Sequence, residues 1–155
     1  MIRFLTTIIL LYASSVNACV GYVVAFRGQN DVFDQPALEQ YANHLGYCHK
    51  VFGWYQSKDA VLFINNTAVT YQLYGFSKGA ETISKLLKDS SIRKPEYVLT
   101  IGAFRTIDVD FKKYNIKFDN YFDESGRGQR SPGMFLSVSH SKIQKEVNRL
   151  ILIDK

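Results

Sequence analysis

Along the chain, short apolar runs alternate with stretches in which apolar residues recur every three or four positions. Gly21-Tyr22-Val23-Val24-Ala25-Phe26 is nearly continuous in apolar character, as a parallel strand buried on both faces should be. Leu38, Tyr41, Ala42 and Leu45 follow at i, i+3, i+4 and i+7, one face of a helix. Asp34 is placed to cap that helix, Pro36 suits its first turn, and Gly46 suits its end. Cys48 to Trp54 predicts a second strand, and Val61, Leu62 and Ile64 a short helix that Ser57 would cap and Asn65-Asn66-Thr67 would break. Ala68 to Tyr74 predicts a strand rich in aromatic and β-branched residues, and Ala80 to Lys88 a helix carrying Ile83, Leu86 and Leu87. Tyr97 to Gly102, Asn115 to Phe122 and Met134 to Val138 predict three further strands. Ile143, Val147, Leu150 and Ile151 mark a final helix. Strands alternating with amphipathic helices predict an α/β fold: one domain, three layers, a mostly parallel central sheet of about five or six strands.

The first residues do not fit this alternation. Met1-Ile2-Arg3 is a short basic start, Phe4 to Tyr12 is apolar, and Val16-Asn17-Ala18 resembles a cleavage site. Residues 1–18 therefore read as a secretory signal peptide, with a retained membrane anchor as the alternative, and the mature domain is expected over 19–155. Secretion or periplasmic export follows. Cys19, the expected first mature residue, has two readings. Val16-Asn17-Ala18-Cys19 partly matches a lipobox, although Asn17 fits that pattern poorly; alternatively Cys19 pairs with Cys48, the only other cysteine. The disulfide is the preferred reading.

With 155 residues and 46% hydrophobic content, the chain can bury one core and shows no sign of disorder. Its net charge of +5 comes from scattered lysines and arginines without a basic run, so no nucleic-acid partner is expected; a basic surface equally suits an acidic envelope polymer or an anionic membrane face. Two cysteines and three histidines at these positions do not make a zinc site, and no cofactor is implied.

The chemistry sits at Gly75-Phe76-Ser77-Lys78-Gly79, a G-x-S-x-G sequence between a strand and a helix. That context is what a nucleophile elbow requires: small residues allow a sharp turn that exposes the serine hydroxyl at a helix N-terminus. A glycine-rich turn with an incidental serine is the alternative. A serine hydroxyl needs a base. Of His44, His49 and His140, only His140 follows a strand's carboxyl end, where parallel sheets place their sites; otherwise it is a surface or capping histidine. The base needs an acid. Asp123, directly after Tyr121-Phe122, is the first choice, with Asp108 second and Asp119 expected inside the strand. The backbone N–H of Lys78 and one from Arg27-Gly28-Gln29 would receive a developing oxyanion.

In that order, Phe26-Arg27-Gly28, the elbow, Asp123 and His140 resemble an α/β-hydrolase of the lipase/esterase branch. Phe26-Arg27-Gly28 is similar to the oxyanion loop of class 3 lipases, with Gln29 where those carry Ser or Thr, so only a backbone role transfers. The resemblance implies Ser77 as nucleophile, His140 as base, Asp123 as acid, and Gln29 and Lys78 as oxyanion donors. It implies a minimal form with an open, cutinase-like cleft for a small or polymer-borne ester. Arg127 and Arg130, in the glycine-rich loop 126–133, would border the cleft and favour anionic substrates. The expectation is a monomeric serine esterase, open to membrane or envelope association. A thioesterase or amidase using the same triad, and an inactive scaffold acting as an envelope binding protein, are the alternatives.

Overall fold

The computed structural model describes residues 18–29, 33–89, 91–103, 109–125 and 132–153. Among these residues, six strands and four helices follow in the order β1 (Gly21–Arg27), α1 (Gln35–Leu45), β2 (Cys48–Gly53), α2 (Ser57–Asn66), β3 (Thr70–Phe76), α3 (Lys78–Lys88), β4 (Tyr97–Ile101), β5 (Lys117–Phe122), β6 (Met134–Phe135) and α4 (Ile143–Ile153). All strands are parallel, in the order β2-β1-β3-β4-β5-β6. A parallel sheet must be covered on both faces, because each strand alternates its side chains between them. Val23 and Ala25 pack with Tyr74, Phe76, Leu99 and Ile101 beneath α1 and α4. Val24 and Phe26 pack with Tyr71, Leu73 and Val98 beneath α2 and α3. The result is a three-layer α/β fold, with each fully buried large aliphatic side chain contributing about 1.5–3 kcal/mol.

Helix ends follow local chemistry. The Asp34 carboxylate accepts from the Ala37 N–H at 3.0 Å, and α1 ends where Gly46 takes a left-handed φ of 69°. At α2 the expectation needs correction. Ser57 is the first helical residue rather than the cap; Gln56 takes the cap position and its Oε1 accepts from the Gly53 N–H at 2.7 Å instead. Of the apolar residues that marked this helix, Leu62 is exposed, while Ala60 and Ile64 are buried.

The last strand also departs from expectation, spanning two residues rather than Met134 to Val138. The Leu136 N–H still reaches the Phe122 carbonyl at 2.9 Å, but the Val138 N–H then bonds the Leu136 carbonyl and closes a tight turn. The Val138 carbonyl accepts in turn from Glu124. The ladder therefore ends beside Asp123, and the chain enters α4 from there.

A disulfide joins Cys19, just before β1, to Cys48, the first residue of β2, with Cα atoms 5.6 Å apart. It uses the sulfur that lipidation would need, and ties an edge strand to its neighbour at the amino edge of the sheet. No helix among the described residues is long and apolar enough to cross a membrane.

Candidate active site

At the carboxyl end of β3 the chain turns sharply into α3. Ser77 holds a positive φ of 54°, a conformation that costs a non-glycine residue strain energy. Its N–H bonds the Ile101 carbonyl at 2.8 Å, so the end of β4 fixes the turn. The flanking glycines are required by contact. A Cβ on Gly79 would lie 2.1 Å from the Phe26 carbonyl oxygen, and one on Gly75 2.7 Å from Ala80 Cα. Helix α3 thus starts hard against β1, with the partial positive charge of its N-terminus at the carboxyl edge of the sheet. Gly28 lies equally close: a Cβ there would stand 2.7 Å from Ser77 Cβ and 3.1 Å from its Oγ. The backbone at Gly28 therefore passes close beside the serine.

His140 lies between β6 and α4. Its Nδ1 is 2.5 Å from Asp123 Oδ2, and its ring stacks on Phe76, the residue before Ser77, with centroids 4.8 Å apart. Gly102, one residue past the carbonyl that holds Ser77, has a φ of 63°; a Cβ there would approach His140 Cε1 to 2.9 Å and Asp123 Oδ2 to 3.2 Å. The carboxylate–imidazole couple thus rests on the same Ile101–Gly102 segment that anchors the serine. Nδ1 is thus the ring nitrogen that faces the carboxylate, and Nε2 lies on the opposite edge of the ring.

Asp123 is buried, with 1% of its surface exposed. Burial alone would raise its pKa. Hydrogen bonds from the Ser125 hydroxyl, from His140 and from the Ser125 N–H, with the charge of His140, outweigh that and hold it below the ordinary carboxylate value. The Ser125 N–H donates to Asp123 Oδ1 at 2.8 Å and its hydroxyl to the same oxygen. Helix α4 is held by a buried glutamine: Gln144 Oε1 accepts from the Asp34 N–H at 2.8 Å and its Nε2 donates to the Tyr74 hydroxyl at 3.1 Å. These bonds fix the first turn of α4, and with it His140 just upstream.

The other candidates fall elsewhere. Asp119 lies within β5, exposed, and accepts from the Tyr97 hydroxyl at 2.5 Å. Asp108, Arg127 and Arg130 lie outside the described residues. His44 is in the last turn of α1, and His49, at the amino end of β2, stands 3.8 Å from Glu39. The side chains of Gln29 and Lys78 meet, Lys78 Nζ to Gln29 Oε1 at 3.4 Å, whereas the oxyanion role expected of them belongs to their backbone N–H groups. A cavity of about 890 Å³ lined by Tyr41, Gln72, Glu96 and Tyr97 opens near the amino ends of β3 and β4, away from Ser77.

Three contributors escaped the sequence reading: Ser125, Gly102 and Phe76. Only Asp123-Glu124-Ser125 carried a usable signal, since an aspartate two residues before a serine favours a local turn that satisfies the carboxylate. Compared with known protein families and with curated proteins, the chain matches none of them.

Proposed function

We propose that the chain is a serine hydrolase of carboxylic esters, built on an α/β-hydrolase-type scaffold. The observation that carries this reading is the Asp123–His140 couple, seated on the Gly102 segment whose preceding carbonyl holds the Ser77 turn. Ser77 Oγ attacks the ester carbonyl as His140 Nε2 takes its proton. Asp123 holds the imidazole tautomer and stabilises the imidazolium. The tetrahedral oxyanion faces the N–H groups of Lys78 and Gln29, and one such donor is typically worth about 10²–10³ in rate. Collapse expels the alcohol, which leaves with the proton from His140. Water then repeats the sequence on the acyl-enzyme. The disulfide supports an exported setting, because such bonds persist in oxidising compartments.

The test is hydrolysis of p-nitrophenyl acetate, butyrate and octanoate by residues 19–155, beside Ser77→Ala, with fluorophosphonate labelling of both. Turnover and labelling that vanish in the variant are expected. A folded wild type that neither labels nor turns over would leave an inactive scaffold as the better reading.

A further inference from the structure

The two ends of Lys78 have separate surroundings. Its backbone N–H belongs to the proposed oxyanion pair. Its side chain runs the other way, across the end of β1 to the end of β2, where Nζ lies 3.6 Å from the centre of the Trp54 indole and 3.4 Å from Gln29 Oε1. Among the described residues no carboxylate lies within ion-pair distance of this ammonium. An indole face and a neutral amide hold the charge in place without cancelling it. The backbone that carries the indole is held, because Thr82 Oγ1 donates to the Trp54 carbonyl at 2.6 Å from one turn along α3. Tyr55 meets Trp54 edge-on at 5.7 Å and is 65% exposed, so this aromatic shelf opens to solvent beside the cation.

The sheet order decides what such a cation faces. Ser77 follows β3; Asp123 and His140 come from the β5 and β6 side, whereas Gln29 and Trp54 follow β1 and β2 on the other. In the proposed reaction His140 returns its proton to the leaving oxygen, so the leaving alcohol lies on the β4–β6 side. The acyl chain must then extend toward β1 and β2. We infer that Lys78, with Trp54 and Gln29, recognises an anionic group at the far end of the acyl chain, and that the substrates are half-esters of dicarboxylic acids or esters of similarly anionic acids. The bond cleaved is the acyl C–O bond, water supplying hydroxyl to the acyl carbon and a proton to the alcohol. A cation already ordered beside the nucleophile binds such an anion with less loss of side-chain freedom than a mobile lysine would. The reaction rests on the serine hydrolase reading; the anion site does not.

Two readouts separate the ideas. The first is the ratio of kcat/KM for 4-nitrophenyl hydrogen glutarate to that for 4-nitrophenyl valerate, in wild type, Lys78→Met and Lys78→Arg. Loss of one charge-assisted contact should lower the ratio roughly tenfold to a hundredfold in Lys78→Met, with most of it retained in Lys78→Arg. The second needs no turnover. Trp54 is the only tryptophan. Its fluorescence in the Ser77→Ala protein should change saturably with glutarate, not with neutral glutaramide at matched ionic strength, and not in Ser77→Ala/Lys78→Met. A ratio unchanged in Lys78→Met with a silent tryptophan overturns the anion site and leaves the hydrolase standing. A tryptophan response without Ser77-dependent turnover does the reverse. Silence in both overturns both.

Discussion

His140 Nδ1 lies 2.5 Å from Asp123 Oδ2, and that carboxylate is 1% exposed while the imidazole keeps 23% of its side chain open. An acid that is buried, charged and bonded to one edge of an imidazole fixes which nitrogen carries the proton. Asp123→Asn keeps the shape but offers an amide where a carboxylate stood. The expected result is a fall in kcat of about 10⁴-fold with KM little changed, the size associated with losing the correct tautomer in a serine triad. Steady-state kinetics on p-nitrophenyl butyrate would show it. A loss below tenfold would demote Asp123 to a structural carboxylate.

The same carboxylate makes stability pH-dependent in a defined direction. Despite burial, the bonds from Ser125 and His140 hold its folded pKa below its ordinary value of 3.8. A depressed acid binds fewer protons folded than unfolded, so its contribution is fully present above the ordinary carboxylate range. It is lost as pH falls through the folded value. Urea midpoints of wild type and Asp123→Asn should therefore draw together as pH falls below about 4. A gap that widens in acid would contradict the assigned direction.

The alternation of runs and periodic stretches made the layers legible, because Val23, Val24, Ala25 and Phe26 can satisfy that pattern only by packing on both sides of a sheet. Boundaries moved where backbone bonds outran side-chain pattern. The strand at the elbow spans Thr70–Phe76 rather than Ala68 to Tyr74, because Gly75 and Phe76 still pair with β4, and α3 begins at Lys78 rather than Ala80. Asp123 and Asp119 look alike in sequence. They separate in space because Asp119 sits mid-strand against Tyr97 while Asp123 begins the turn that meets Val138 and His140. Contacts such as Gly102 beneath His140 depend on two distant strands ending at one level, and no local pattern carries that.

Three glycines around the site should fail in different ways. Ala at Gly79 would press 2.1 Å against the Phe26 carbonyl, a backbone atom that cannot swing aside. More than about 3 kcal/mol of stability should go, or folding altogether. Ala at Gly102 meets the flexible end of His140 at 2.9 Å and adds strain at positive φ; about 1–2 kcal/mol is expected. Its effect on kcat should be larger, since the imidazole it displaces is the proposed base. Ala at Gly28 would crowd the nucleophile at 2.7 Å from Ser77 Cβ. Activity should fall there, and the melting temperature with it, because Cβ can move only with the Ser77 backbone. Thermal melts beside kinetics on the three variants separate these outcomes.

Ser77 itself carries strain that function would have to justify. At φ 54° and ψ −122° it occupies a region that glycine accepts and residues with a Cβ do not. Ser77→Gly and Ser77→Ala should both be inactive, yet the glycine variant should be the more stable of the two by about 1 kcal/mol, read from urea midpoints. Equal stabilities would mean the turn is relaxed and the elbow argument is weaker than its geometry suggests.

The disulfide should matter for stability and leave the chemistry alone. Cys19 and Cys48 are 29 positions apart and close a loop holding β1 and α1 at the amino edge, whereas Ser77, Asp123 and His140 follow carboxyl ends of strands. Closing such a loop restricts the unfolded chain, so Cys19→Ser/Cys48→Ser should lose about 2–4 kcal/mol. The variant should keep the wild-type kcat on p-nitrophenyl butyrate at a temperature where it is folded, because β1 and β3 still pair from Gly21 to Phe26 without the bridge. A fall in kcat beyond about threefold under those conditions would mean that the amino edge sets the geometry of Gly28 over Ser77, and that the two ends of the sheet are not energetically separate.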